Sequence, residues 1–230
     1  MTTADQHSTT PRTALVTGAT SGIGREVALQ LAELGWRVIA VGRDREGLAQ
    51  LEEASALITP RAADLLTGDL AALVPDRVDA LVHAAGISPS TRVEDTADAD
   101  WERVFALNVT AGAALVRHAL PALRDARGTV VLVNSGAGTA ARPRNVPYAA
   151  SKHALRALAN GLRAEEEGNG VRVSTVYPGP TDTPMFGGDV DRGELIRPSS
   201  VARAVVMAIT ASEDVQLTDI HVRPRRELSW

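Results

Sequence analysis

The sequence predicts an α/β chain, a doubly wound three-layer sandwich on a mostly parallel, seven-stranded sheet. Short Val/Ile/Leu-rich runs alternate with longer amphipathic stretches from Thr13 to Val222, the pattern of successive βα units feeding a parallel sheet. The first of these runs passes into a helix through a glycine-rich turn, Thr17 to Gly24. Aromatic residues make up 3% of the chain and hydrophobic residues 44%, so the core has to be built from Ala, Val, Leu and Ile, which suits helices packed closely on Val-rich strands.

Thr13–Thr17 reads as a buried strand, and residues 22–34 as a helix stopped by Gly35. Residues 37–41 form the next strand and 46–54 a helix. A short strand falls within 57–63, and a weaker helix over 67–73 is ended by Pro75. Residues 78–83 and 129–134 read as strands flanking a long helical pattern, 98–123, which Pro121 is expected to kink or end. A second long helix starts near Pro147, a first-position proline after Asn145, and runs to Gly168. After the strand 171–177, residues 178–198 are rich in Pro and Gly and read as a long loop suited to be a substrate lid. A Ser-capped helix, 199–212, and a strand, 216–222, complete the order.

Charge and composition exclude several classes. The chain carries 24 Lys and Arg against 28 Asp and Glu, a formal net charge of -4, and no basic stripe recurs, so nucleic acid is not expected as a partner. The one basic cluster, Arg223, Arg225 and Arg226, reads as a solvated tail without function. With no cysteine there is no disulfide, thiolate nucleophile or sulfur-ligated zinc, and no metal site is expected. The first residues are polar and Thr-rich, without the basic start and apolar stretch of a secretory signal. No run approaches the ~18 apolar residues of a membrane span. The expectation is a cytoplasmic protein with a disordered tail, 1–11, and a single domain, 12–230.

The turn Thr17-Gly18-Ala19-Thr20-Ser21-Gly22-Ile23-Gly24 sits between strand and helix, where backbone N–H groups and the helix dipole can hold a pyrophosphate. Side chains at Gly18, Gly22 or Gly24 would block the turn, the phosphates or the packing of helix on strand. The spacing differs from the common G-x-G-x-x-G, and a structural strand-to-helix turn would look the same. Tyr148 and Lys152 lie one helical turn apart on one face, so a fixed cation stands near a phenol. Ser135 ends the Val-rich strand at the carboxyl edge, where open α/β sheets place their sites and where a hydroxyl can polarise a carbonyl.

With these residues in order, the chain resembles the short-chain dehydrogenase/reductase family from about Thr13 to Val222. Thr17–Gly24 is similar to its T-G-x-x-x-G-x-G turn and Tyr148 to Lys152 to its Y-x-x-x-K. Asp64-Leu65 resembles its adenine-contacting pair and Ala84-Ala85-Gly86 its N-A-G. Asn108 resembles the asparagine of its long helix, and Pro178-Gly179 with Thr183 its P-G-x-x-x-T segment. Two departures are visible: His83-Ala84 stands where the family usually has two asparagines, and the last strand lacks its V-D-G-G ending. A hydrogen-bonded strand-end role is expected for His83.

The resemblance implies a Rossmann-like, NAD(P)-binding domain that moves a hydride between NADP(H) and a carbonyl or secondary alcohol. It makes Tyr148 the general acid/base, and makes Lys152 the ribose anchor that lowers the phenol pKa. Ser135 becomes the donor to the substrate oxygen, and Asn108 the anchor of a relay water to Lys152. Cofactor contacts are implied at Gly18, Thr20, Ser21, Gly22, Ile23 and Gly24, at Arg43, and at Asp64 and Leu65. They continue at Ala84, Ala85 and Gly86, at Asn108, Tyr148 and Lys152, and at Pro178, Gly179, Thr181 and Thr183.

NADP(H) is preferred because Gly42 stands where an NAD enzyme of this fold places its acid, with Arg43 beside it to hold a 2′-phosphate; the rival reading is a solvated arginine offset by Asp44. A moderately apolar pocket is expected from Ile87, Val146, Met185 and Phe186. A homodimer or homotetramer is implied, pairing the helices 98–123 and 147–168. Two other readings are weighed: a dinucleotide-binding sensor without turnover, and an epimerase or dehydratase. The sensor has no reason to keep Ser135, Tyr148, Lys152 and Asn108 together, and the second usually needs a larger C-terminal substrate region.

Overall fold

A computed structural model describes residues 11–140, 143–186 and 191–225. Its seven strands are β1 (Thr13–Thr17), β2 (Arg37–Gly42), β3 (Ile58–Ala62), β4 (Ala80–His83), β5 (Thr129–Val133), β6 (Arg172–Pro178) and β7 (Asp219–Val222). They form one sheet in the order β3-β2-β1-β4-β5-β6-β7, and every pairing is parallel. The chain starts in the middle, winds outward to β3, then crosses back to β4 and winds the other way. The reversal leaves a crevice beyond the carboxyl ends of β1 and β4, where such sheets bind ligands. The architecture is a Rossmann-like doubly wound sandwich.

The helices are α1 (Gly22–Glu33), α2 (Arg45–Ala54), α3 (Asp98–Phe105), α4 (Ala111–Ala126), α5 (Val146–Glu166) and α6 (Pro198–Thr210). Strand alternation divides the core. Ala14, Val16, Val38 and Val131 face α1 and α6, while Leu15, Leu81, Val130 and Leu132 face α4 and α5. Both faces are therefore covered, which is why β1 and β5 are buried along their whole length.

Several elements differ from the sequence expectation. The helix expected over 67–73 is only a 3-10 turn, Ala71–Leu73, because the Asp69 carboxylate takes the N–H groups of Ala71 and Ala72 and Pro75 follows closely. Pro121 does not end its helix; it lies on the exposed side, and α4 continues to Ala126, closing at Arg127 with φ 47. The expected serine cap of α6 is absent: Pro198 occupies the first turn and Arg197 precedes it. Asp44, expected to offset Arg43, caps α2 by accepting from Glu46 N.

Asp98–Ala126 forms one helical stretch of 29 residues whose most apolar 18-residue segment has a mean hydropathy of 1.2, long and apolar enough to cross a membrane. That corrects the expectation that no run approaches such a span. It packs on the sheet through Leu115, Ala119 and Leu123, as a core helix does. The interior of the expected lid, 187–190, the tail up to residue 10, and Arg226 lie outside the described residues.

Candidate active site

The β1–α1 turn brings backbone together too closely for side chains. Gly18 has φ +66, and a Cβ there would lie 2.8 Å from Ala85 N. Gly22 has φ +53, with Thr183 Cγ2 2.9 Å from its would-be Cβ; a Cβ on Gly24 would fall on Gly18 O. Ser21 precedes α1 in extended backbone and makes no side-chain cap. The first N–H groups of α1 are thus left to face the crevice, the arrangement that holds a phosphate.

A cavity of about 470 Å³ opens there. It is lined by Gly18, Ser21, Gly22, Ile23 and Gly24 of the turn, and by Ala84, Ala85 and Gly86 beyond β4. Ser135, Tyr148 and Lys152 line its other wall, and Pro178, Gly179, Thr181 and Thr183 its far end. Met185 and Phe186 line it as expected; Ile87 belongs to the neighbouring groove instead. That groove, about 240 Å³, holds Thr20, Arg43, Asp64 and Leu65. Every cofactor position expected from the sequence except Asn108 therefore lines one of two adjoining depressions.

Lys152 is 4% exposed, and its ammonium donates to Val133 O at 2.8 Å while lying 5.5 Å from the centre of the Tyr148 ring. Burial lowers its pKa to about 8. Tyr148 is 9% exposed, and burial raises its pKa, with Ser135 pulling it back down. Removing a phenolate from water outweighs the hydrogen bond from Ser135. The Ser135 Oγ also accepts from Ala137 N at 3.1 Å, fixing its orientation at the end of β5.

Asn108 lies behind this wall, fully buried, in a π turn (Ala106–Thr110) joining α3 to α4. Both Nδ2 hydrogens and one Oδ1 lone pair are used: Oδ1 accepts from Ile87 N at 2.9 Å, and Nδ2 donates to Ile87 O and to Ser151 Oγ, each at 3.0 Å. Ser151 Oγ in turn donates to Tyr148 O at 2.7 Å.

Two supporting residues escape a reading by motif. Asn134 donates to Lys152 O at 2.9 Å and accepts from Ser135 N at 2.8 Å, tying the two halves of the site together. Ser151 links Asn108 to the tyrosine's turn. Each is adjacent to a recognised residue, which is the only signal the sequence offers. Arg103 of α3, which also lines the second groove, gives no signal at all.

His83 is 1% exposed; its Nδ1 pairs with Thr17 Oγ1 at 3.0 Å, and Nε2 has no hydrogen-bond partner. Burial, and then the charge of Lys152, lower its pKa to about 4, so it stands neutral. In the second groove Arg43 lies 3.8 Å from Asp64. A Cβ on Gly42 would fall on Thr20 Cγ2, so the threonine closes the position where an acid would stand.

The family model for short chain dehydrogenases matches residues 12–192. An uncharacterized short-chain type dehydrogenase/reductase of Sinorhizobium fredii is 31% identical, the match covering 92% of this chain and 90% of that protein. A solved oxidoreductase of the same family from Burkholderia thailandensis is 32% identical with a TM-score of 0.83, covering 94% of this chain and 92% of its own. The 3-ketoacyl-(acyl-carrier-protein) reductase of Brucella melitensis, solved with NADH, shares the fold at a TM-score of 0.87 and 24% identity, covering 94% and 98%. The match over most of the chain, joined to a glycine cradle and a Ser–Tyr–Lys wall on one crevice, makes this chain a member of the short-chain dehydrogenase/reductase family of oxidoreductases.

Proposed function

We propose that the protein moves a hydride between NADP(H) and a carbonyl or secondary alcohol of a small molecule. The observation that carries this is the meeting of Ser135, Tyr148 and Lys152 on one wall of the cavity whose opposite wall is the glycine cradle. The cradle fits the cofactor: its glycines put no side chain of their own into it, and the α1 N-terminus faces it uncapped. When bound, the nicotinamide supplies or accepts the hydride.

The chain's own residues do the rest. Ser135 donates to the carbonyl oxygen and holds it beside the phenol. Tyr148, whose raised pKa keeps it protonated at neutral pH, donates the proton as the carbonyl is reduced. Lys152 holds the ribose and presents a positive charge to the forming phenolate, while Asn108 fixes the wall and anchors a relay water toward Lys152. NADPH oxidation measured across ketones, aldehydes, quinones and acyl-thioesters tests the assignment. Tyr148→Phe is expected to lose at least about 100-fold in kcat with cofactor binding nearly intact, in line with removal of a general acid. Lys152→Ala should lose cofactor affinity together with kcat. Substantial turnover by purified Tyr148→Phe overturns the role.

The preference for NADP(H) rests on Arg43 and on Thr20 standing over Gly42. The Arg43–Asp64 pair is no strong competitor, since its side chains are 60% and 38% exposed at 3.8 Å. Arg43→Ala should raise KM for NADPH far more than for NADH. Gly42→Asp alone would collide with Thr20, so the switch toward NADH is to be sought in Thr20→Ala/Gly42→Asp. A wild-type kcat/KM higher for NADH than for NADPH refutes this preference.

A further inference from the structure

We propose that Arg223 makes the substrate end of the cavity a binding site for an anion, so that the physiological substrate is a carbonyl compound bearing a carboxylate or a phosphoryl group. The inference rests on the hydride-transfer reading and adds a substrate class to it.

The arginine is built into place. β7 pairs with β6 up to Pro178 opposite Val222, and Gly179 N donates to Val222 O at 2.8 Å, so Arg223 leaves the sheet at its carboxyl edge. Pro224 follows at once, restricting Arg223 to extended backbone and fixing its own φ. The proline packs on Gly179, whose missing Cβ would lie 3.0 Å from Pro224 Cδ. From this anchored position the side chain turns across the cavity mouth: its Nη1 is 3.9 Å from where a Cβ on Gly136 would be, next to Ser135. Gly136, next to Ser135 in the chain, puts no side chain against the guanidinium.

Charge points the same way. The chain as a whole is acidic, at -4, and its bulk field repels anions. Yet among the described residues no Asp or Glu lines this cavity, and the two charged side chains that do, Lys152 and Arg223, are both cationic. They have separate tasks. Lys152 is buried against the ribose side, while Arg223 is exposed at the rim, where an extended substrate emerges from the reacting end. A guanidinium has five N–H donors on more than one edge, so contacts made on one edge leave another to grip a carboxylate or phosphate bidentately.

The test uses matched pairs that differ only in charge: laevulinate and its methyl ester, benzoylformate and its methyl ester, and dihydroxyacetone phosphate and dihydroxyacetone. kcat/KM with NADPH is measured for wild type, Arg223→Gln and Arg223→Glu, and the affinity of each compound for the enzyme–NADP+ complex, which cannot reduce a ketone, is measured by calorimetry. Wild type is expected to favour at least one anionic member by about tenfold, the effect of a partly exposed charged hydrogen bond. Arg223→Gln should erase that ratio and Arg223→Glu reverse it. The keto-acid and phosphate pairs show which anion is held.

No preference for any anion in wild type, or a preference that survives Arg223→Glu, overturns the inference. So does a loss of NADP+ affinity as large as the loss of anion affinity, which would place Arg223 on the cofactor. Esters reduced while acids gain nothing would leave the hydride-transfer reading standing alone. Anions bound through Arg223 with no compound reduced would sink that reading and spare the anion site.

Discussion

Lys152 is the sole lysine of the chain, which makes its ionisation directly observable. With lysine labelled at Cε, a single resonance is expected, titrating at about 8. A value near that of free lysine would show that the ammonium is not buried on Val133 O. The sign of the linkage follows. A lysine at about 8 in the fold and at its ordinary 10.5 when unfolded releases its proton first in the fold, so its burial costs stability below about 8. That cost fades as pH rises toward the unfolded value. Denaturation at about pH 8 and about pH 10 should show wild type gaining, relative to Lys152→Met, on the order of a few kcal/mol. Activity should move the opposite way, falling as pH rises through about 8 and the cation is lost.

At the scale of elements, the site is a junction of the β5 end with the start of α5, and Asn134 is the clamp between them. Asn134→Ala removes the acceptor of the half-buried Ser135 N and the side-chain donor to Lys152 O, a carbonyl inside α5. The expected cost is about 1–3 kcal/mol in chemical denaturation, together with a fall in kcat as Ser135 and Lys152 lose their mutual placement. A variant with wild-type stability and activity would show the clamp to be incidental. The junction also shows what motif reading sees and what it misses. Tyr148 and Lys152 are visible because helix periodicity alone puts them on one face; Asn134 and Ser151 matter through partners 18 and 43 residues distant. The short helix lost at 67–73 and the proline that fails to end α4 have one cause. Local propensity yields to side-chain capping in the first case and to solvent on the exposed face in the second.

For the whole molecule, the long stretch Asp98–Ala126 has 39% of its apolar window buried within the chain. Most of the remaining window is half-buried, and its small residues Ala113 and Ala114 lie on a face suited to pair with its symmetry mate, together with α5. Light scattering at micromolar concentration should therefore give at least a dimer mass, and a monomer would contradict this arrangement. The arrangement of strands also explains why residues from distant parts of the sequence meet. Winding out from β1 and back from β4 places the turn after β1 beside the loops after β4, β5 and β6 on one edge.

The sequence alone determined the α/β class, the parallel sheet, the glycine-rich strand-to-helix turn and the one-turn spacing of Tyr148 and Lys152, because each is written locally, in strand and helix periodicity and in short spacings. Only the tertiary structure decided the rest. Burial raises the Tyr148 pKa against the pull of Ser135, the Asn108 amide is tied to Ile87 and Ser151, and Thr20 stands over Gly42. Arg223, a residue of an unremarkable basic tail in the sequence, becomes a rim charge because β7 lies against β6. Desolvation and contact across the sheet are properties of the packed chain, and no window of neighbouring residues contains them.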